Sequence, residues 1–175
     1  GMAADDGGAG IFNTAGILIV TNATITNNLA TGTSGSGGGI FSMAGTVTIT
    51  DSTLDGNAAN RAGGAIEVVA GILTITNSDL TNNDVDGGAG TPNPGNGGAL
   101  HISGVTTTII SGGTASGNDA RREGGALWNQ TGSTMSVTNL TVDNNTASGP
   151  DAAHGGGGIF NNGGTLNLNN STLSN

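Results

Sequence analysis

The 175-residue chain is predicted to fold as an all-β solenoid, a parallel β-helix of about six coils. Three observations carry that prediction. A Gly-Gly-aliphatic phrase recurs as GGGIF at Gly37 and Gly156, GGAI at Gly63 and GGAL at Gly97 and Gly124. An Asn follows each of the first five unit starts at a nearly constant distance. Between the two landmarks lie short runs that alternate with period two and are rich in β-formers, among them TVTIT from Thr46, ILTIT from Ile72 and TLNLN from Thr165. Self-similarity with a period of tens of residues marks a repeat architecture in which one unit cannot cover its own apolar face.

Anchored on the Gly-Gly phrase, the units begin near Ala9, Gly38, Gly63, Gly97, Gly124 and Gly157, and the Asn landmarks are Asn28, Asn57, Asn83, Asn118 and Asn145. From anchor to Asn the separations are 19, 19, 20, 21 and 21 residues; from Asn to the next anchor they are 10, 6, 14, 6 and 12. One stretch of each coil is therefore fixed in length, and one corner takes the insertions. Three inward columns follow from this alignment. They are Phe12, Phe41, Ile66, Leu100, Leu127 and Phe160; Val20, Ile49, Ile75, Ile110, Val137 and Leu168; and Ile25, Leu54, Leu80, Ala115, Val142 and Leu173. Stacking coils about 4.8 Å apart would bury them as a continuous core. The Gly-Gly pair sits at the re-entry into the first strand, where positive φ or close backbone approach is inexpensive for Gly. The Asn residues, five in register, predict a ladder of amides hydrogen-bonded from coil to coil at a corner where Asn also tolerates the left-handed conformation.

Composition excludes several functions. The chain has 35 Gly, no Cys, three basic residues (Arg61, Arg121 and Arg122) against twelve acidic ones, and a net charge of −9. Nucleic acid is thus an improbable partner, since phosphate is held by clustered cations. Without Cys there are no disulfides or thiolate metal sites. No run approaches the length of a membrane span. The opening GMAADDGG has neither a basic nor an apolar leader region, and residues 1–175 are expected to form one β-helix segment of a longer repeat protein.

The phrase GGA followed by Ile or Leu, then a strand and an x-x-Asn phrase, resembles the repeat of the chlamydial polymorphic outer membrane proteins and of similar bacterial surface β-helices, over residues 8–175. The aromatic residue of that family's second motif is replaced here by Ile25, Leu54, Leu80, Ala115 and Val142. The resemblance implies a right-handed, three-sheet parallel β-helix that serves as a secreted or cell-surface passenger or stalk, typically in adhesion.

Candidate chemistry comes from one outward column, aligned as Asn13, Ser42, Glu67, His101, Trp128 and Asn161, with Arg61, Arg121 and Arg122 in the loops that enter the same strand. A sugar ring stacked on Trp128 and hydrogen-bonded by His101 and Glu67 would suit this set, as would an unrelated group of exposed side chains. The acids lie mostly in corners and loops, so no catalytic pair, cofactor or metal site is expected. Asn-x-Ser/Thr triplets follow from the Asn and Thr columns and receive no glycan assignment.

The outer face of the second strand is expected to carry an uncharged array. Its nine most regular positions are Thr46, Thr48, Thr50, Thr74, Thr76, Thr107, Thr134, Thr138 and Thr165. Flat Thr-x-Thr arrays resemble the faces of ice-binding proteins, and Thr also simply suits an exposed strand. The leading expectation is a non-enzymatic extracellular or cell-surface module, adhesin-like or stalk-like. It would contact a host or environmental surface, protein or glycan, through flat sheets or variable loops, and would stack on neighbouring coils of its parent. Ice binding is the first alternative; a carbohydrate-binding or polysaccharide-active β-helix using Glu67, His101 and Trp128 is the second.

Overall fold

In the computed structural model, residues 7–87, 95–150 and 154–174 are described, and every strand ladder among them is parallel. Each strand pairs with its equivalent one coil away, which is the topology the repeat demands. The first sheet contains Ile11–Asn13, Ile40–Ser42, Ile66–Val68, Leu100–Ile102, Leu127–Gln130 and Ile159–Asn162. The second is built on Ile17–Thr21, Thr46–Thr50, Gly71–Thr81, Thr106–Ser116, Thr134–Thr138 and Thr165–Asn169. The third has five short strands, Leu29–Ala30, Ala58–Ala59, Asp84–Val85, Asp119–Ala120 and Thr146–Ala147. Together they stack as a β-solenoid of about five turns, with no helix among the described residues.

Two bends per coil are made by residues that accept the left-handed conformation. The second sheet turns at Asn22, Asp51, Asn77, Gly112, Asn139 and Asn170, and turns again at Asn27, Gly56, Asn82, Gly117 and Asn144, all with positive φ. The residue after the second bend is the ladder Asn. Its Nδ2 donates to the Oδ1 of the next coil along the whole series: Asn28 to Asn57 at 2.9 Å, Asn57 to Asn83 at 3.1 Å, Asn83 to Asn118 at 3.0 Å and Asn118 to Asn145 at 2.9 Å. The same Oδ1 atoms also accept the backbone N–H of the preceding ladder residue. The predicted ladder is present, but the strained backbone lies one residue earlier, so the two properties expected of one Asn are divided between neighbours.

A shorter ladder follows the first bend, where the N–H of Ala23 donates to Ser52 Oγ and that of Ser52 to Ser78 Oγ, each at 3.1 Å. The Ser that follows Asp51 and Asn77 was its only sequence signal.

The Gly-Gly phrase divides its work in the same way. Its first residue takes positive φ, 60° at Gly37 and Gly63, 64° at Gly97 and 63° at Gly124. Its second allows coils to touch: a Cβ on Gly64 would lie 2.2 Å from the Gly98 carbonyl oxygen, a separation that side chains do not reach.

Register corrects one inward column. Phe12 pairs with Phe41, Phe41 with Glu67, and Trp128 with Phe160, so Phe12, Phe41 and Phe160 belong to the outward set. The true inward column is Ile11, Ile40, Ile66, Leu100, Leu127 and Ile159, while Asn13, Ser42 and Asn161 point inward with Val68, Ile102 and Asn129. GGGIF admits two alignments with GGAI, and placing Phe in the core selected the wrong one. A one-residue slip exchanges the two faces of a strand. The other two inward columns stand as aligned and form the apolar core with Val47, Leu73 and Met135, except at the last coil, where Leu168 and Leu173 are 42% and 48% exposed.

Candidate functional site

The outer face of the first sheet thus carries Phe12, Phe41, Glu67, His101, Trp128 and Phe160 in one line. An outward column on a solenoid is ordinarily solvated. The centre of this one is not: Phe41 and Glu67 are 0% exposed, and His101 and Trp128 5%, while Phe12 at the first coil is 46% exposed. The cover is the segment that enters each first strand. It runs beside the face as a ladder of single bridges through Gly7, Ser36, Ala62, Asn96 and Glu123, and its side chains reach over the column.

The contacts form a chain. Phe12 stacks on Phe41 with ring centres 5.3 Å apart. Glu67 Oε2 accepts the Nδ1 hydrogen of His101 at 2.7 Å. The His101 ring stacks on Trp128 at 4.3 Å, and Trp128 on Phe160 at 6.4 Å. Trp128 Nε1 donates to Glu123 Oε2 at 3.0 Å. Both faces of the indole are therefore occupied by protein rings, which leaves its edge, rather than a stacking platform, to a ligand.

Two of the three Arg belong to this face. Arg61 donates through Nε to Ser36 Oγ at 2.9 Å, and a terminal nitrogen lies 3.7 Å from Glu67 Oε1, which accepts no hydrogen bond among the described residues. Arg122 contacts His154 Nε2, and His154 lies 3.8 Å from Glu123 Oε1. A cleft of about 380 Å³ opens between Arg61 and Arg122, with His101, the Trp128 edge, Gln130 and Asn162 on its walls. Arg121 is not part of it. Its guanidinium turns to the carbonyls of Asp86 and Gly87, because consecutive residues of an extended segment point to opposite sides. Sequence reasoning missed Asn96, Ser103, Gln130 and Asn162 in the lining, since each looks like an ordinary turn or strand-end residue in its own coil.

The third sheet places Asp84 beside Asp119 on adjacent coils. Burial, followed by the charges of Asp86 and Asp119, pushes the Asp84 carboxyl up to about 6, and burial raises Asp119 in the same direction. No group of three or more His, Asp or Glu among the described residues could hold a metal ion.

All nine Thr positions fall on the outer face of the second sheet in the predicted register. This face is bare: Ile17 is 77% and Ile19 68% exposed, and no charged residue interrupts the three columns. Among the described residues no helix is long and apolar enough to cross a membrane. No protein-family model, curated protein or solved structure matches the chain.

Proposed function

We propose that this β-solenoid is a non-enzymatic binding module of an extracellular or cell-surface protein, adhesin-like, whose recognition surface is the loop-covered outer face of the first sheet. The observation that carries the reading is the cleft between Arg61 and Arg122. It is edged by residues of the segments that enter successive first strands, Arg61, Ala62, Asn96, Arg122 and Glu123, and floored by side chains from successive coils. A rigid sheet flanked by connecting segments is how stable scaffolds present recognition residues. The likeness of the repeat to bacterial surface β-helices supports the same reading.

The test applies labelled wild type, Arg122→Glu and Thr48→Lys/Thr74→Lys to arrays of glycans and surface proteins. Retention of wild type and of the Lys variant, with loss in Arg122→Glu, is expected. Loss confined to the Lys variant would move the recognition surface to the second sheet. Wild type retained nowhere would overturn the binding-module reading.

A further inference from the structure

We infer that the cleft is a subsite for one ring of a neutral saccharide, gripped by its hydroxyl edge through His101, Arg122, Gln130 and Asn162. The inference rests on the loop-covered face being the binding surface, and it names the ligand class. Three features of the cleft narrow that class.

The lining is polar almost throughout, with Ala62 and the Trp128 edge as its apolar parts, so a hydrophobic ligand would bury little. Arg61 stands 3.7 Å from the Glu67 carboxylate, and Arg122 contacts His154, whose Nε2 lies 3.8 Å from Glu123. The chain around them carries a net charge of −9, so phosphate, sulfate or a polyanionic glycan is disfavoured by the overall field.

Both donors and acceptors line the cleft. His101 commits Nδ1 to Glu67, and its Nε2, which makes no hydrogen bond among the described residues, is an acceptor when the imidazole is neutral. Arg122 and the amides of Gln130 and Asn162 supply donors beside it. A group that donates to the imidazole and accepts from the guanidinium is a hydroxyl, and adjacent hydroxyls on one ring satisfy several such groups together. The stacking of Trp128 between His101 and Phe160 means that the sugar is read by its edge and not by its face. A volume of about 380 Å³ is near the small end of ligand pockets, suited to one ring with part of a second. Glu67 acts as a positioning residue, holding the imidazole in its tautomer.

Trp128 is the single tryptophan of the chain and lies in the cleft wall, so its emission reports occupancy. The wild-type chain is titrated with neutral hexoses, pentoses, N-acetylhexosamines and their disaccharides, and in parallel with galacturonate and sodium sulfate. At least one neutral sugar is expected to change the emission saturably, and Gln130→Ala/Asn162→Ala to weaken it tenfold or more at unchanged melting temperature. Saturation by galacturonate or sulfate with the neutral panel silent would overturn the ligand class while leaving the binding face intact. Silence of every probe would overturn the subsite itself, and array retention lost in Arg122→Glu would then still place recognition on this face.

Discussion

The outer faces of the first and second sheets are built from the same coils, at the same spacing, and end in opposite states. On the second sheet the outward columns are Thr, Ile, Ser and Asn, and they remain bare. On the first sheet the outward column is aromatic or ionisable, and its four central members, Phe41, Glu67, His101 and Trp128, are buried as deeply as the core. The difference does not lie in the strands, which are regular on both sides. It lies in the entering segment, which roofs one face and leaves the other to solvent. In a solenoid, therefore, an outward position is not always a solvent position, and a second zone of burial can form outside the helix where the segment entering a strand runs beside its outer face.

The sharpest test of this contrast is Phe41→Ala. If the roofed face is a second core, loss of this fully buried ring should cost about 3–4 kcal/mol, as in an interior. Chemical denaturation would measure it, and a cost under about 1 kcal/mol would show the roof to be loosely held.

Next in size is the Asn corner, which both faces depend on for coil spacing. Asn83→Ala removes the bonds to Asn118 Oδ1 and to the Leu54 carbonyl, and strips its partners on Asn57, at a cost of roughly 1–3 kcal/mol. The matched control is Asn82→Gly, because Asn82 occupies φ 52° and Ala there would add backbone strain of its own. Equal melting temperatures for the two variants would sink the ladder as a stabilising device.

An internal defect gives a gain of similar kind. Thr108 points into the core between Leu73 and Met135, and its buried hydroxyl makes no hydrogen bond among the described residues. Thr108→Val should raise stability by about 1 kcal/mol, read as a higher unfolding midpoint.

The third sheet adds a pH signature. The Asp84 carboxyl is raised from 3.8 to about 6, so the folded chain holds this proton more tightly than the unfolded one. The corresponding stability is complete below pH 3.8, is lost as pH rises through 6, and stays lost above it. Because the side chain is half exposed, the effect is screened to about 1 kcal/mol or less. Asp84→Asn should stabilise at pH 7.5 and flatten the melting temperature between pH 4 and 7; an unchanged profile would contradict the raised carboxyl.

The smallest effect is expected on the bare face. Thr48→Lys/Thr74→Lys should change stability by no more than about 0.5 kcal/mol. Ice shaping by wild type is not expected, because Ile17, Ile19, Ile72 and Ile109 interrupt the hydroxyl array. Faceted ice crystals at micromolar protein, lost in the Lys variant, would reverse the ranking of the two faces.

Much of this molecule was open to a reader of the chain alone. Period-two runs, the fixed anchor-to-Asn distance and the five Asn in register specify parallel coils and an amide ladder, since each is a local pattern repeated at an interval that stacking alone explains. The Thr columns were equally legible, because alternation assigns a face once a strand is in phase. What the chain did not reveal was the phase of GGGIF against GGAI, since hydrophobicity rewards Phe in either column and one residue inverts the strand. Nor could it separate Arg122 from Arg121, bring Glu123 to the Trp128 indole, or cover the Trp128 ring on both sides with His101 and Phe160. Those contacts join residues from successive coils and from the segments between them, and only the stacked structure brings them within a few ångströms.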